Sequence, residues 1–204
     1  MARPGKIVCI GRNYVDHAKE LGNEVPKEPL IFLKPPTSVI GEGDPIVLPP
    51  QSRQVEHEGE IGVVIGRTLR RASEAAATEA IRAIVAINDV TARDLQKTDG
   101  QWTRAKGFDT FCPVGPEAPP PTDLASLSVV TRVNGVERQR STAAAMAFPI
   151  PRLLAYISGI MTLEPGDLVA TGTPAGVGPL ADGDMVEVEI EGVSRVRNPV
   201  RAER

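Results

Sequence analysis

The 204 residues suit one domain or two small ones, with length enough for a substantial core, and 19 Gly with 19 Pro predict many turns between short strands. Lys plus Arg is 23 and Asp plus Glu is 26, a formal charge of -3 that gives no reason to expect nucleic acid or an anionic membrane as partner. Two cysteines and two histidines exclude a disulfide framework and a Cys/His structural zinc site within one chain, and no apolar run has signal-peptide or membrane-span length, so a cytoplasmic protein is expected.

Along the chain, KIVCIG reads as a first strand in which Cys9 packs as a small hydrophobe. Asn13 is placed to cap a short helix through YVDHAKEL, which stops at Gly22 and Pro26. PLIFLKPP is a short apolar segment closed by Pro35 and Pro36, and GEGDPIVLPP reads as turn, strand, turn. EHEGEIGVVIG, residues 56–66, belongs to a strand from about Val55 to Ile65. Ser73 caps an Ala-rich helix, SEAAATEAIRA, that feeds the apolar run IVAIND. Residues 91–116 are polar and Gly-bearing and read as loops, with Cys112 packed rather than reactive. EAPPPTDL reads as a surface loop rather than a domain linker.

LSVVTRVNGVERQR carries the signature of a hairpin about Asn134-Gly135. Pro151 starts a helix, PRLLAYISGIM, with Leu153, Leu154, Ile157 and Met161 on one face. The remainder reads as strand, turn, strand, with turns at Pro165-Gly166 and Asp182-Gly183. Many short strands and about three helices predict a mixed, β-dominated single domain over 1–204.

The chemistry begins at EHEGEIGVVIG. On a strand, Glu56, Glu58 and Glu60 share one face, spaced roughly 6.6 Å apart, and repel unless water or a cation compensates. Both faces turn apolar directly after Glu60, as in a strand buried on both sides, although the same alternation fits a half-exposed strand. Glu58 and Glu60 lie nearest the apolar end and are the candidate ligands; Glu56 is expected to be solvated, and His57 points to the opposite face. Asp89 ends IVAIND, again an acid where an apolar strand gives out, a position that a turn residue also suits. Three carboxylates without Cys or His describe a Mg²⁺ or Mn²⁺ site.

His17 and Glu20 share a helix face three residues apart, the arrangement of a carboxylate-oriented general base and equally of an ordinary surface pair. Lys106, after the only Trp, says little alone, since most lysines are solvated. TGTPAGVG offers N–H groups and hydroxyls able to hold a carboxylate, or simply a tight turn; it lacks the Gly-Lys-Ser/Thr of a phosphate loop.

The ordered blocks GRNYxxHxxE, EHEGEIGVVIG, NDVTARDLQ, QWTRAKGFDTFCPVGP and GDLVATGTPAGVG resemble the fumarylacetoacetate hydrolase family, from about Ile7 to Val193. More narrowly they resemble its acylpyruvase, fumarylpyruvate hydrolase and 2-hydroxyhepta-2,4-diene-1,7-dioate isomerase branch, enzymes of aromatic catabolism. The resemblance implies an α+β, β-dominated mixed β-roll or sandwich with a few short helices, forming a homodimer. It implies Mg²⁺ or Mn²⁺ on Glu58, Glu60 and Asp89, and a His17–Glu20 pair that activates water from a lid helix. Lys106 falls on a lysine near the metal, and Arg12, Gln96 and Thr173 on substrate-binding positions.

The activity expected is divalent-metal-dependent hydrolysis of a C–C bond in acylpyruvate-type 2,4-diketo acids such as fumarylpyruvate or acetylpyruvate, through an enolate stabilised by the cation. The same site suits a 2-oxo-diacid isomerase or tautomerase, or an oxaloacetate decarboxylase. Outside enzymes, a metal-stabilised binding domain has the same residues.

Overall fold

The computed structural model describes residues 3–20, 22 and 26–203. In chain order the strands and helices are β1 (Ile7–Gly11), α1 (Val15–Glu20), β2 (Leu30–Lys34), β3 (Val39–Ile40), β4 (Ile46–Leu48), β5 (Val55–His57), β6 (Gly59–Ile65), α2 (Glu74–Glu79), β7 (Ile81–Asn88) and β8 (Thr91–Ala92). There follow α3 (Arg93–Thr98), α4 (Thr103–Lys106), β9 (Cys112–Pro113), β10 (Ser128–Val133), β11 (Val136–Thr142), α5 (Ile150–Ile160), β12 (Leu168–Ala170), β13 (Gly178–Pro179), β14 (Met185–Ile190) and β15 (Ser194–Ala202). The β-dominated α+β architecture is the expected one.

Two five-stranded sheets carry the fold, ordered β2-β1-β12-β6-β7 and β11-β10-β14-β15-β4, beside two small ladders, β13-β5-β8 and β3-β9. β6 lies inside the first sheet and is buried along its whole length. Its alternate residues Ile61, Val63 and Ile65 join the main core, which also takes Leu153, Leu154 and Ile157 of α5 and Val129 and Val188 of the second sheet. Val64 faces the other way, into a second core with Cys9, Val85, Ile87 and Cys112. A strand covered on both faces reads as a continuous apolar run, and that is the run after Glu60.

Local signals formed where no distant contact competes with them. Ser73 caps α2, its hydroxyl accepting from Ala76 N, although the helix ends at Glu79 and Ile81 already belongs to β7. Asn134 and Gly135 both hold positive φ (53° and 78°), as a two-residue type I′ hairpin turn requires. Both cysteines are buried, and burial pushes the Cys112 thiol up to about 12.

Several expectations need correction. The strand expected over Val55–Ile65 breaks at Glu58 into β5 and β6. Residues 91–116 are not wholly loop, because α3 and α4 lie there, and neither has a side-chain cap to announce it. Asn13 spends its side chain elsewhere, donating to Phe148 O and Thr171 O and accepting from Phe148 N, so it anchors the start of α1 to β12 and α5 rather than capping the helix. The helix is described through Glu20. Leu21 and part of the stop expected between Gly22 and Pro26 lie outside the described residues.

Candidate active site

The register of the first sheet gathers the candidate residues. β6 and β7 pair antiparallel with Gly59 opposite Asn88, so the start of one strand meets the end of the other, and Asp89 N donates to Glu58 O at 2.8 Å. β1 and β12 run parallel with Cys9 opposite Ala170, which brings GRNY and TGTPAG to this same end of the sheet. Directly after the break at Glu58 the two sheets approach closely: a Cβ on Gly59 would lie 1.9 Å from Thr131 Oγ1 of β10, so only glycine fits between them here. Glu58 and Glu60, on either side of this glycine, turn into one space.

Oxygens of Glu58, Glu60 and Asp89 all lie within 4.8 Å of one another, and all three residues are buried. Cations surround two of them. Lys106 Nζ donates to Glu58 Oε2 and to Asp89 Oδ2, both at 2.7 Å. Lys34 Nζ donates to Asp89 Oδ1 at 2.7 Å and to Val90 O at 3.1 Å. Arg93 donates from Nη2 to Glu58 Oε1 and from Nε to Glu56 Oε2. Glu56 is therefore buried and paired, against the expectation of a solvated residue. His57 does lie away from the cluster, its Nδ1 against Gln139 Oε1.

Electrostatics separates the two adjacent glutamates. Burial raises the Glu58 pKa, but Lys106 and Arg93 overcome it and hold the carboxylate below its usual range. Among the described residues Glu60 has no such partner. Its Oε2 accepts a backbone N–H, from Gly172 at 2.8 Å, while burial and then Asp89 and Glu58 push its pKa well above the usual range. Lys106 is lowered by its own burial, yet Asp89 and Glu58 keep it above the ordinary lysine range. Four buried carboxylates (Glu56, Glu58, Glu60, Asp89) thus face three buried cations (Lys34, Arg93, Lys106). The donor set fits a hard divalent cation: three carboxylates from two chain segments, Glu58 and Glu60 around the start of β6 and Asp89 after β7, one of them lacking a cationic partner among the described residues.

The cluster floors a cavity of about 360 Å³, lined also by Arg12, His17, Gln96 and Thr173. Phe32 and Trp102 form an aromatic wall in edge-to-face contact, ring centroids 5.3 Å apart, and Lys106 Nζ lies 4.9 Å from the Phe32 centroid. His17 is buried, with Nδ1 3.3 Å from Glu20 Oε2, which leaves Nε2 for the cavity. Glu20 stands outside the lining and also accepts from Gly176 N, at 3.1 Å to Oε1, tying α1 to the TGTPAG loop. All nine residues singled out in the sequence therefore lie in or directly behind one cavity.

The family described as fumarylacetoacetate (FAA) hydrolase C-terminal matches residues 6–201. This chain belongs to the fumarylacetoacetate hydrolase family. Among solved structures it is similar to 5-carboxymethyl-2-hydroxymuconate delta-isomerase from Mycobacterium smegmatis, with 46% identity and a TM-score of 0.92 over 99% of this chain and 80% of that one. It is similar as well to 2-hydroxyhepta-2,4-diene-1,7-dioate isomerase from Mycobacterium marinum, with 46% identity and a TM-score of 0.90 over 98% and 76%. Among curated relatives, the mitochondrial oxaloacetate tautomerase FAHD1 of Bos taurus is 43% identical over 92% of this chain and 87% of its own length.

Sequence reasoning missed Lys34, Arg93 and the aromatic pair. Lys34 carried a faint signal, a charge ending the apolar run LIFL before two prolines. Arg93 carried none beyond its place four residues after Asp89. No described helix is long and apolar enough to cross a membrane.

Proposed function

We propose that this protein is a divalent-metal-dependent enzyme that interconverts keto and enol forms of a small 2-oxo acid, a diacid by preference. The observation carrying this reading is the convergence of Glu58, Glu60 and Asp89 beside a buried ammonium, in one cavity with a carboxylate-oriented histidine. The isomerase and tautomerase names of the three relatives support it. A Mg²⁺ or Mn²⁺ ion held by the three carboxylates would polarise the keto group and favour negative charge on its oxygen.

The chain's own residues do the rest. Lys106, buried and fixed by Glu58 and Asp89, keeps positive charge where an enolate develops. Arg12 and Gln96 hold the acid's carboxylates, and the Phe32–Trp102 wall excludes solvent from its carbon chain. His17 Nε2 takes a proton from the carbon next to the keto group and delivers it to the enolate oxygen, giving the enol, and the reverse steps regenerate the keto form; Glu20 on Nδ1 fixes the tautomer that can do so.

A second reading, C–C hydrolysis of an acylpyruvate, is favoured by that same His17–Glu20 pair, which suits deprotonation of a water attacking the remote carbonyl. The sequence placed hydrolysis first; the relatives' names reverse the order. One experiment separates them: incubate the protein with oxaloacetate, fumarylpyruvate and acetylpyruvate, with Mg²⁺ or with chelator, and follow enol absorbance, pyruvate and carbon dioxide. Isomerisation predicts metal-dependent relaxation of the enol band without pyruvate; hydrolysis predicts stoichiometric pyruvate from the two acylpyruvates without carbon dioxide, whereas pyruvate with carbon dioxide from oxaloacetate marks decarboxylation. No metal-dependent change with any of the three acids refutes both.

A further inference from the structure

Gln139 is the only buried residue of β11, whose other side chains are exposed or half-exposed. An interior amide is costly unless its donors and acceptor are all satisfied. Here two backbone groups decide which way it points. Gly59 N–H can only donate, and it meets Oε1 at 3.0 Å; Pro174 C=O can only accept, and it meets Nε2 at 2.8 Å. The amide therefore has one orientation, and two assignments follow from it. The second hydrogen on Nε2 goes to Thr173 Oγ1 at 2.7 Å. His57, 3.2 Å from Oε1, must carry its proton on Nδ1.

Thr173 is then fully specified. A hydroxyl has one hydrogen and two lone pairs. The hydrogen is spent on Gly59 O at 2.9 Å, and one lone pair receives Gln139. Thr173 lines the cavity, and a group that meets its hydroxyl there finds only the remaining lone pair.

We propose that Gln139 is a positioning residue that makes the Thr173 hydroxyl an acceptor only, so that this wall of the cavity receives an O–H donor, from an enol or a water, and not a carboxylate oxygen. The proposal rests on the 2-oxo-acid reading above and deepens it: the wall selects the enol tautomer or holds a water for proton transfer. Thr173 stood among the substrate-binding positions of the sequence reading, but Gln139 did not, because it stands in a hairpin strand 80 residues from Gly59.

The test is a double-variant cycle on metal-dependent oxaloacetate enolisation. Thr173→Val and Gln139→Met each lower kcat roughly 10- to 100-fold with KM nearly unchanged. The double variant falls no further than Thr173→Val alone, and Thr173→Ser, which keeps the hydroxyl, stays close to the parent protein. Losses that multiply in the double variant, or a Thr173→Val variant with full kcat, overturn this proposal and leave the 2-oxo-acid reading intact. A parent protein inert toward oxaloacetate but active on fumarylpyruvate or acetylpyruvate moves the same cycle to that acid, and one inert toward all three overturns both. Independently of turnover, nitrogen NMR of the unsubstituted protein should find His57 protonated on Nδ1; a proton on Nε2 overturns the amide orientation.

Discussion

Two networks of ion pairs in this molecule use the same chemistry in opposite surroundings. On the second sheet, Arg140 bridges Glu137 and Glu191, and its side chain is 45% exposed. At the end of the first sheet, Arg93 bridges Glu56 and Glu58, and its side chain is 3% exposed. Exposed pairs gain little, because water and salt screen them and two long side chains must be ordered. Buried pairs are held by costs rather than gains: neither charge can leave without stranding the other. The outer network decorates a sheet. The inner one fixes carboxylate oxygens in space, and a fixed oxygen is what a metal or a substrate can use.

Replacements on the two sides should differ accordingly. The largest effect is expected for Asp89→Ala, which removes a candidate ligand and the partner of two buried lysines: turnover of 2-oxo acids drops roughly 10²- to 10³-fold or more, and the remainder no longer responds to Mg²⁺ in a chelator-controlled assay. Next, Arg93→Met takes the buried cation from Glu56 and leaves Glu58 with Lys106 alone, and urea denaturation should register a loss of about 3–5 kcal/mol. Gly59→Ala forces a methyl onto Thr131; a smaller loss, about 1–3 kcal/mol, is expected, accompanied by weaker Mg²⁺ binding as Glu58 and Glu60 are pushed apart. Smallest of all, Arg140→Ala should leave the melting temperature and its salt dependence unchanged. Equal destabilisation by Arg93→Met and Arg140→Ala would erase the contrast between the networks.

The two sides were also unequally legible. Glu58, Glu60 and Asp89 stood out because acids at the ends of apolar runs break a local pattern, and period-two alternation is a backbone property that needs no tertiary contact. The hairpin at Asn134-Gly135 and the Ser73 cap were readable for the same reason. What the sequence hid was set by distant partners. Glu56 looked solvated because Arg93, 37 residues on, was not in view. The need for glycine at position 59 depends on Thr131 in the facing sheet. Lys34 looked like any lysine after an apolar run, and only Asp89, 55 residues away, turns it into a buried counter-charge. α3 and α4 lack capping side chains, so nothing local distinguished them from loop.

The most direct test is calorimetric titration of Mn²⁺ or Mg²⁺ into the chelator-treated protein and into the Glu60→Gln variant, which keeps the shape of the side chain whose carboxyl has no cation of its own among the described residues. We expect one ion bound per chain in the parent protein and a weakening of at least tenfold in the variant. A parent protein that binds no ion, or a variant that binds as tightly, would contradict a shared metal on Glu58, Glu60 and Asp89.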